Sequence, residues 1–308
     1  MSHPAAGTRQ KKLLSQNDYL APLPLPTGKR PVDSLNIIWR KNEAFLDISY
    51  YTIGSAVMVI WPIIVLTLCI AYATQEVGIL WIGGIITGIP SLMLIYSLFL
   101  PTPLPIRFNR QRREVCVPRP DGVYWIVPWE TVTAAATQHS SVSQAGRNTM
   151  GMLFIGFENP DPEAAEDNRH FSVGFNCGGG ETAMALWECV RSYMEIGPDA
   201  VEDSTERFNW SKGIWAHYMY GLRKMAREKD WFLAVLWEGF FGLFIFNTLL
   251  IQVLERWKLN PLPDLNYPEV VEWSKPLPPE QWAKQSPELA AALIQREMEL
   301  NVNRQHTA

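Results

Sequence analysis

Two long stretches without charge dominate the hydropathy pattern. From Tyr50 to Ala73 and from Val77 to Leu100, no Asp, Glu, Lys or Arg interrupts either run of 24 residues, and only Thr74, Gln75 and Glu76 separate them. As α-helix each run extends about 36 Å, enough to cross a hydrocarbon core of about 30 Å with some tilt. They predict a transmembrane helical hairpin over 50–100. A third apolar run, Trp231–Leu254, carries a single charge, Glu238, and is bracketed by Trp231 and Trp257. Indoles at both ends suit the two membrane interfaces, so a third transmembrane helix is predicted over 231–254.

Between the second and third runs the pattern changes to short β segments. IRFNR, REVCV, VYWIVPW, ETVTAAA, MGMLFIGF and RHFSVGF follow one another between turn signals such as PRPDG. Six strands at this spacing predict a small antiparallel sheet or barrel. Met184, Leu186, Trp187, Val190 and Met194 then recur at helical spacing, predicting a helix that closes the 101–200 domain. Residues 201–230 read as a basic amphipathic segment beside the membrane. The N-terminal arm, 1–49, contains PLPLPTGKRP and reads as extended chain. The tail, 255–308, is rich in Pro with Trp273 and Trp282 embedded, and Ser286–Pro287 marks the start of a last helix. The fold class is therefore membrane α+β.

Composition sharpens this division. A mean hydropathy of −0.05 looks soluble, but it averages the apolar runs with a polar remainder. A net charge of −4 argues against nucleic acid as a partner, since that demands a basic footprint. Cations gather beside the membrane runs: Lys29, Arg30, Arg40 and Lys41 before the first, five arginines between Arg107 and Arg119 after the second, and Lys212, Arg223, Lys224, Arg227 and Lys229 before the third. The short turn between the first two runs has none. By the bias of Lys and Arg toward the cytoplasm, the N-terminus and 101–230 are expected inside and the tail outside, in the periplasm. The first 45 residues hold no signal-peptide core, so the first helix would act as its own insertion signal. Cys69 is intramembrane and Cys116, Cys177 and Cys189 fall in the cytoplasmic part, where no disulfides are expected.

Chemistry is sparse. The chain holds no P-loop, dinucleotide, zincin, CxxC or nucleophile-elbow motif. His170 with Cys177 is the one pair to weigh as base and nucleophile; its spacing fits no rule, and neither catalysis, metal nor cofactor is expected. Gly178–Gly180 reads as a helix-entry turn, and Glu163, Glu166 and Asp167 as a solvated loop. Arg110, Arg112 and Arg113 cluster at a β-turn, where they either meet lipid headgroups with Lys212, Arg223, Lys224 and Arg227 or enforce topology. Glu238 is an intramembrane carboxylate, which is costly and so either functional or helix–helix glue toward Thr67, Thr87 or Ser91. Gly84 and Gly88 form a GxxxG suited to close helix approach.

The strand order with its terminal helix, RFNRQRREVCV and the turn into VPWETV resemble the pleckstrin-homology-like domains that bacterial membrane proteins carry beside a transmembrane hairpin. With PLPLP near the start, residues 20–200 also resemble an uncharacterised family of bacterial inner-membrane proteins found near type VI secretion cargo. That resemblance implies a multi-pass, non-enzymatic binding protein: an immunity or accessory protein whose partner is a secreted antibacterial toxin. The alternative is a lipid- or stress-sensing scaffold whose partners are membrane lipids.

Overall fold

The computed structural model describes residues 4–51, 53–143, 146–202, 210–211, 213–228 and 230–307. The chain divides into two compact units: a module of 1–50, 104–205 and 264–308, and a helical unit of 51–103 and 206–263.

The module is built on two five-stranded antiparallel sheets. Along the chain the strands are β1 (Arg9–Lys11), β2 (Ser15–Ala21), β3 (Ile38–Lys41), β4 (Phe45–Ile48), β5 (Ile106–Asn109), β6 (Glu114–Pro118), β7 (Tyr124–Pro128), β8 (Thr133–Ser143), β9 (Gly146–Glu158) and β10 (His170–Asn176). The first sheet runs β3-β4-β5-β6-β7 and the second β1-β2-β8-β9-β10. The six segments expected between 105 and 176 are β5 to β10. The N-terminal arm is not extended linker; it supplies β1 to β4, two strands to each sheet.

Helix α3 (Gly180–Glu195) buries Ala183, Leu186, Trp187, Val190 and Met194, as its spacing predicts. Each such large apolar side chain removed from water contributes about 1.5–3 kcal/mol. Trp187 stacks on Trp129 with ring centroids 5.5 Å apart, and Phe108 meets Trp129 edge-on at 5.7 Å. These rings tie the helix to the first sheet, and apolar residues of both sheets share one core with it.

The tail is the main departure. It was expected as an arm beyond the membrane, but from Asp264 onward it belongs to the module. α7 (Pro268–Trp273) places Val270 and Trp273 over Cys116, all three buried. The backbone N–H of Ala283 donates to the Gln111 carbonyl at 2.8 Å. Ser286 Oγ caps the next helix by accepting from Leu289 N–H at 3.1 Å, which begins α8 (Pro287–Thr307) as expected. From Asp264 onward the tail therefore shares one compact unit with 104–205.

In the helical unit, α1 (Gly54–Thr74) and α2 (Val77–Phe99) are long and apolar enough to cross a membrane. Pro62 and Pro90 lie inside them without ending them. In the chain they interrupt the first sheet between β4 and β5, which pair directly from Ile48↔Ile106 to Phe45↔Asn109. Helix α4 (Ile214–Glu228) follows the expected amphipathic segment. The third apolar run is not one straight helix: α5 (Trp231–Ile245), mostly wide π turns, and α6 (Thr248–Leu259) meet at 70°. Asn247 makes the break with φ +51°, and its side chain accepts from Leu250 N–H.

Candidate functional site

The arginines weighed between lipid headgroups and topology are used inside the module. β5 and β6 are joined by the turn Arg110–Arg113, in which Asn109 Oδ1 accepts from the N–H groups of Gln111 and Arg112. Arg113 takes φ +54° and turns inward, only 9% exposed. Its guanidinium donates to both Glu195 oxygens at 2.9 and 3.0 Å and to Glu130 Oε1 at 3.0 Å. Trp129 Nε1 and Gln285 Nε2 also donate to Glu195, each at 2.6 Å. Burial raises the Glu130 carboxyl, but bonds from Ser286 and the charge of Arg113 outweigh it and hold the group below its ordinary value. Arg112 Nε donates to the Trp273 carbonyl at 2.9 Å. Arg110 lies over the Trp282 ring and donates to the Ile196 carbonyl.

A second cluster fixes the tail from the other side. Arg107, 4% exposed, donates to both oxygens of the fully buried Asp47 at 2.6 and 2.7 Å, to Asp264 at 2.7 Å and to Ser274 Oγ at 2.9 Å. Arg40 reaches Asp47 at 3.2 Å and Asp264 at 3.7 Å. Burial pushes the Asp264 carboxyl up, and Arg40 and Arg107 more than reverse it. Together these two clusters make a polar seam: one joins the first sheet to the tail, the other joins sheet, α3 and tail. Sequence reasoning missed it because its partners lie 157 residues apart, as in Arg107 and Asp264.

The remaining candidates separate. Arg223, Lys224 and Arg227 are exposed on α4 beside exposed Trp215 and Tyr220. Lys212 lies outside the described residues. Glu238 is half-buried in the first π turn, and its main-chain carbonyl accepts from Tyr218 Oη at 2.7 Å. The Thr67 and Thr87 hydroxyls donate to the Ile63 and Gly83 carbonyls of their own helices. Glu163, Glu166 and Asp167 are exposed in the β9–β10 loop.

His170 and Cys177 do not form a pair. His170 opens β10 and Cys177 follows its last residue, about 23 Å of extended strand away. Burial pushes the Cys177 thiol up to about 11 and the Cys116 thiol up to about 12, the reverse of an activated nucleophile. Gly178, with φ +72°, leads into α3, and a Cβ on Gly151 of β9 would fall 2.1 Å from the Gly179 carbonyl carbon. The glycine run is therefore packed as a helix entry.

PLPLP is also packed. Arg296 of α8 donates to the Pro26 carbonyl at 3.2 Å, and Thr27 Oγ1 donates to Glu188 at 2.9 Å. A cleft of about 670 Å³ opens beside it, lined by Lys29, Arg30, Arg191 and Glu297 among others.

A two-sheet α+β module carrying an inserted hairpin of two potential membrane spans is the class these features define. The chain belongs to the family of unknown function (DUF6708), whose model matches residues 85–276, well over half of it. That match runs from within α2 through the apolar 231–259 segment to the docked Trp273, so the start of the tail falls inside it. No curated protein and no solved structure matches the chain.

Proposed function

We propose that this is a non-enzymatic binding protein of the bacterial inner membrane, with a pleckstrin-homology-like module held at the surface by its hairpin. The observation that carries the reading is the insertion of α1 and α2 between the paired strands β4 and β5. The anchor thus interrupts the chain in the middle of a sheet and does not hang from one end of the module. Support for the pleckstrin-like assignment is the order of elements: four strands (β4–β7), three strands (β8–β10), then the closing helix α3. Strands β1, β2 and β3 extend the two sheets at their edges.

The partner class comes from the resemblance set out above: a secreted antibacterial toxin, against which the protein acts as an immunity or accessory factor. Producing the chain in susceptible bacteria together with a toxin encoded beside it tests this. Protection and a purified complex are expected; sensitivity despite normal expression and membrane insertion would reject it. The lipid-scaffold alternative now rests on α4 alone, because Arg107, Arg110, Arg112 and Arg113 already have partners within the module.

A further inference from the structure

We propose that Trp231–Leu259 is a re-entrant element seated in the leaflet on the module's own side, so that the chain crosses the bilayer twice and not three times. The proposal rests on the membrane-anchored reading above and adds the topology of the segment that reading leaves open.

The first argument is connectivity. Asp264, Trp273 and Ser286 are bonded into the same unit as Arg107, Glu114 and Glu130. Whatever lies between 205 and 264 must therefore cross the membrane an even number of times. No crossing fits between the module and α4: Lys41 Nζ holds the Val201 carbonyl at 2.7 Å, and the dozen residues before Ile214 include Glu202, Asp203, Glu206, Arg207 and Lys212. Residues 260–263 are too few to cross. α4 itself carries Arg223, Lys224 and Arg227. The apolar segment alone remains, and it must return to the side from which it started.

The second argument is shape. The 70° break divides the segment into two helices, neither long enough to span about 30 Å by itself, since twelve residues of α6 extend about 18 Å. Within the helical unit, Trp61 Nε1 donates to the Phe244 carbonyl just before the break, and Trp61 lies only seven residues, about 10 Å, into α1. α6 then lies at the open end of the hairpin: Ile251 packs with Ile53, Val57 and Leu98, Trp257 meets Phe99, and Lys258 Nζ donates to the Leu100 carbonyl. The remainder of α1 and α2 keeps its apolar surface outward, as a lipid-facing hairpin does.

The third argument is chemistry. α5 exposes Trp231, Phe232, Trp237 and Phe240, a surface that fits acyl chains and the glycerol region. Exposed Trp215 and Tyr220 share α4 with exposed Arg223, Lys224 and Arg227, which fits anionic headgroups. Glu238 then stays near the interface and need not reach the bilayer centre, where a carboxylate is most costly.

Cysteine mapping in whole cells tests the topology. Gln75→Cys at the hairpin turn, Glu163→Cys in the module and Glu280→Cys in the tail are each made in the full chain, at exposed positions. They are probed with a membrane-impermeant maleimide before and after permeabilisation, with the unmodified chain as blank. Glu163→Cys and Glu280→Cys are expected to label from one side and Gln75→Cys from the other. Glu280→Cys labelling with Gln75→Cys overturns the re-entrant proposal and restores a third span. All three labelling from one side rejects the membrane-anchored reading itself. A reporter active on only one side of the membrane, fused after Ala308, gives the same decision should a cysteine variant fail to insert.

Discussion

Arg107 concentrates the energetics of the module in one side chain. Its guanidinium satisfies Asp47, a carboxylate with no exposure, and reaches Asp264 and Ser274 of the tail. Arg107→Met leaves Asp47 with Arg40 alone. Breaking a buried pair costs about 3–5 kcal/mol, and the remaining Arg40 contact places this case near about 3 kcal/mol. Unfolding of the detergent-solubilised protein measures it. Lys29→Ala, which removes an exposed, solvent-screened pair with Glu181, is expected to leave the unfolding transition almost unchanged. Equal effects would show that the seam does not carry the load assigned to it. The same seam sets a pH dependence. The Glu130 and Asp264 carboxyls are held below their ordinary values in the folded chain. Their contribution is complete above the unfolded carboxylate range, about 4, and is lost as pH falls through the lower folded values. Amide exchange across 264–290, corrected for intrinsic rates, is expected to accelerate below that range ahead of exchange in β8 and β9; uniform acceleration would count against it.

At the scale of elements, the hairpin shows how a correct motif can be placed one residue away from its true face. WIGGIITG contains two small-residue pairs at a spacing of four, Gly84 with Gly88 and Gly83 with Thr87. The structure uses the second: Gly83 and Thr87 are buried, and a Cβ on Gly83 would fall 2.1 Å from Thr67 Cγ2, whereas Gly84 and Gly88 face open space. One residue rotates the contact by about 100°, and composition cannot choose between the faces. Gly83→Val is expected to force α1 from α2 at a cost of about 1–3 kcal/mol, while Gly84→Ala and Gly88→Ala leave thermal stability in detergent unchanged. The strands divide similarly. β5 to β10 are legible because short runs rich in β-branched and aromatic residues stand between turns such as PRPDG. β1 and β2 are not, because RQK and SQNDYLA carry polar residues on both faces, with Arg9 and Asp18 paired across the strands. β3 and β4 are four residues each, and the partner of β4 returns only after the whole hairpin. Docking of the tail left a trace in the sequence, tryptophans in a polar, Pro-rich stretch: Trp273 packs with Cys116 and its neighbours, and Trp282 lies under Arg110.

For the whole molecule, the question is whether the tail is an appendage or a part of the module that happens to come last in the chain. Truncation after Pro263 separates the two. An appendage could be removed with the sheets intact. In this structure the truncation removes Asp264 and Ser274 from Arg107, Ser286 and Gln285 from the Arg113 cluster, and Leu265, Val270 and Trp273 from above Cys116. The hairpin should still insert, because Ile53, Val57, Leu98 and Ile251 pack among themselves within the helical unit. The expected product is thus a membrane-inserted chain with a loosened module. Cys116 reports it: the thiol is fully buried and pushed up to about 12, so maleimide should fail to label it in the full chain and label it readily after truncation. A truncated protein that inserts normally and keeps Cys116 protected would return the tail to the status of a free arm. Labelled Cys116 with normal insertion would place the three separated segments, 1–50, 104–205 and 264–308, in one cooperative folding unit, closed only when the last of them has docked.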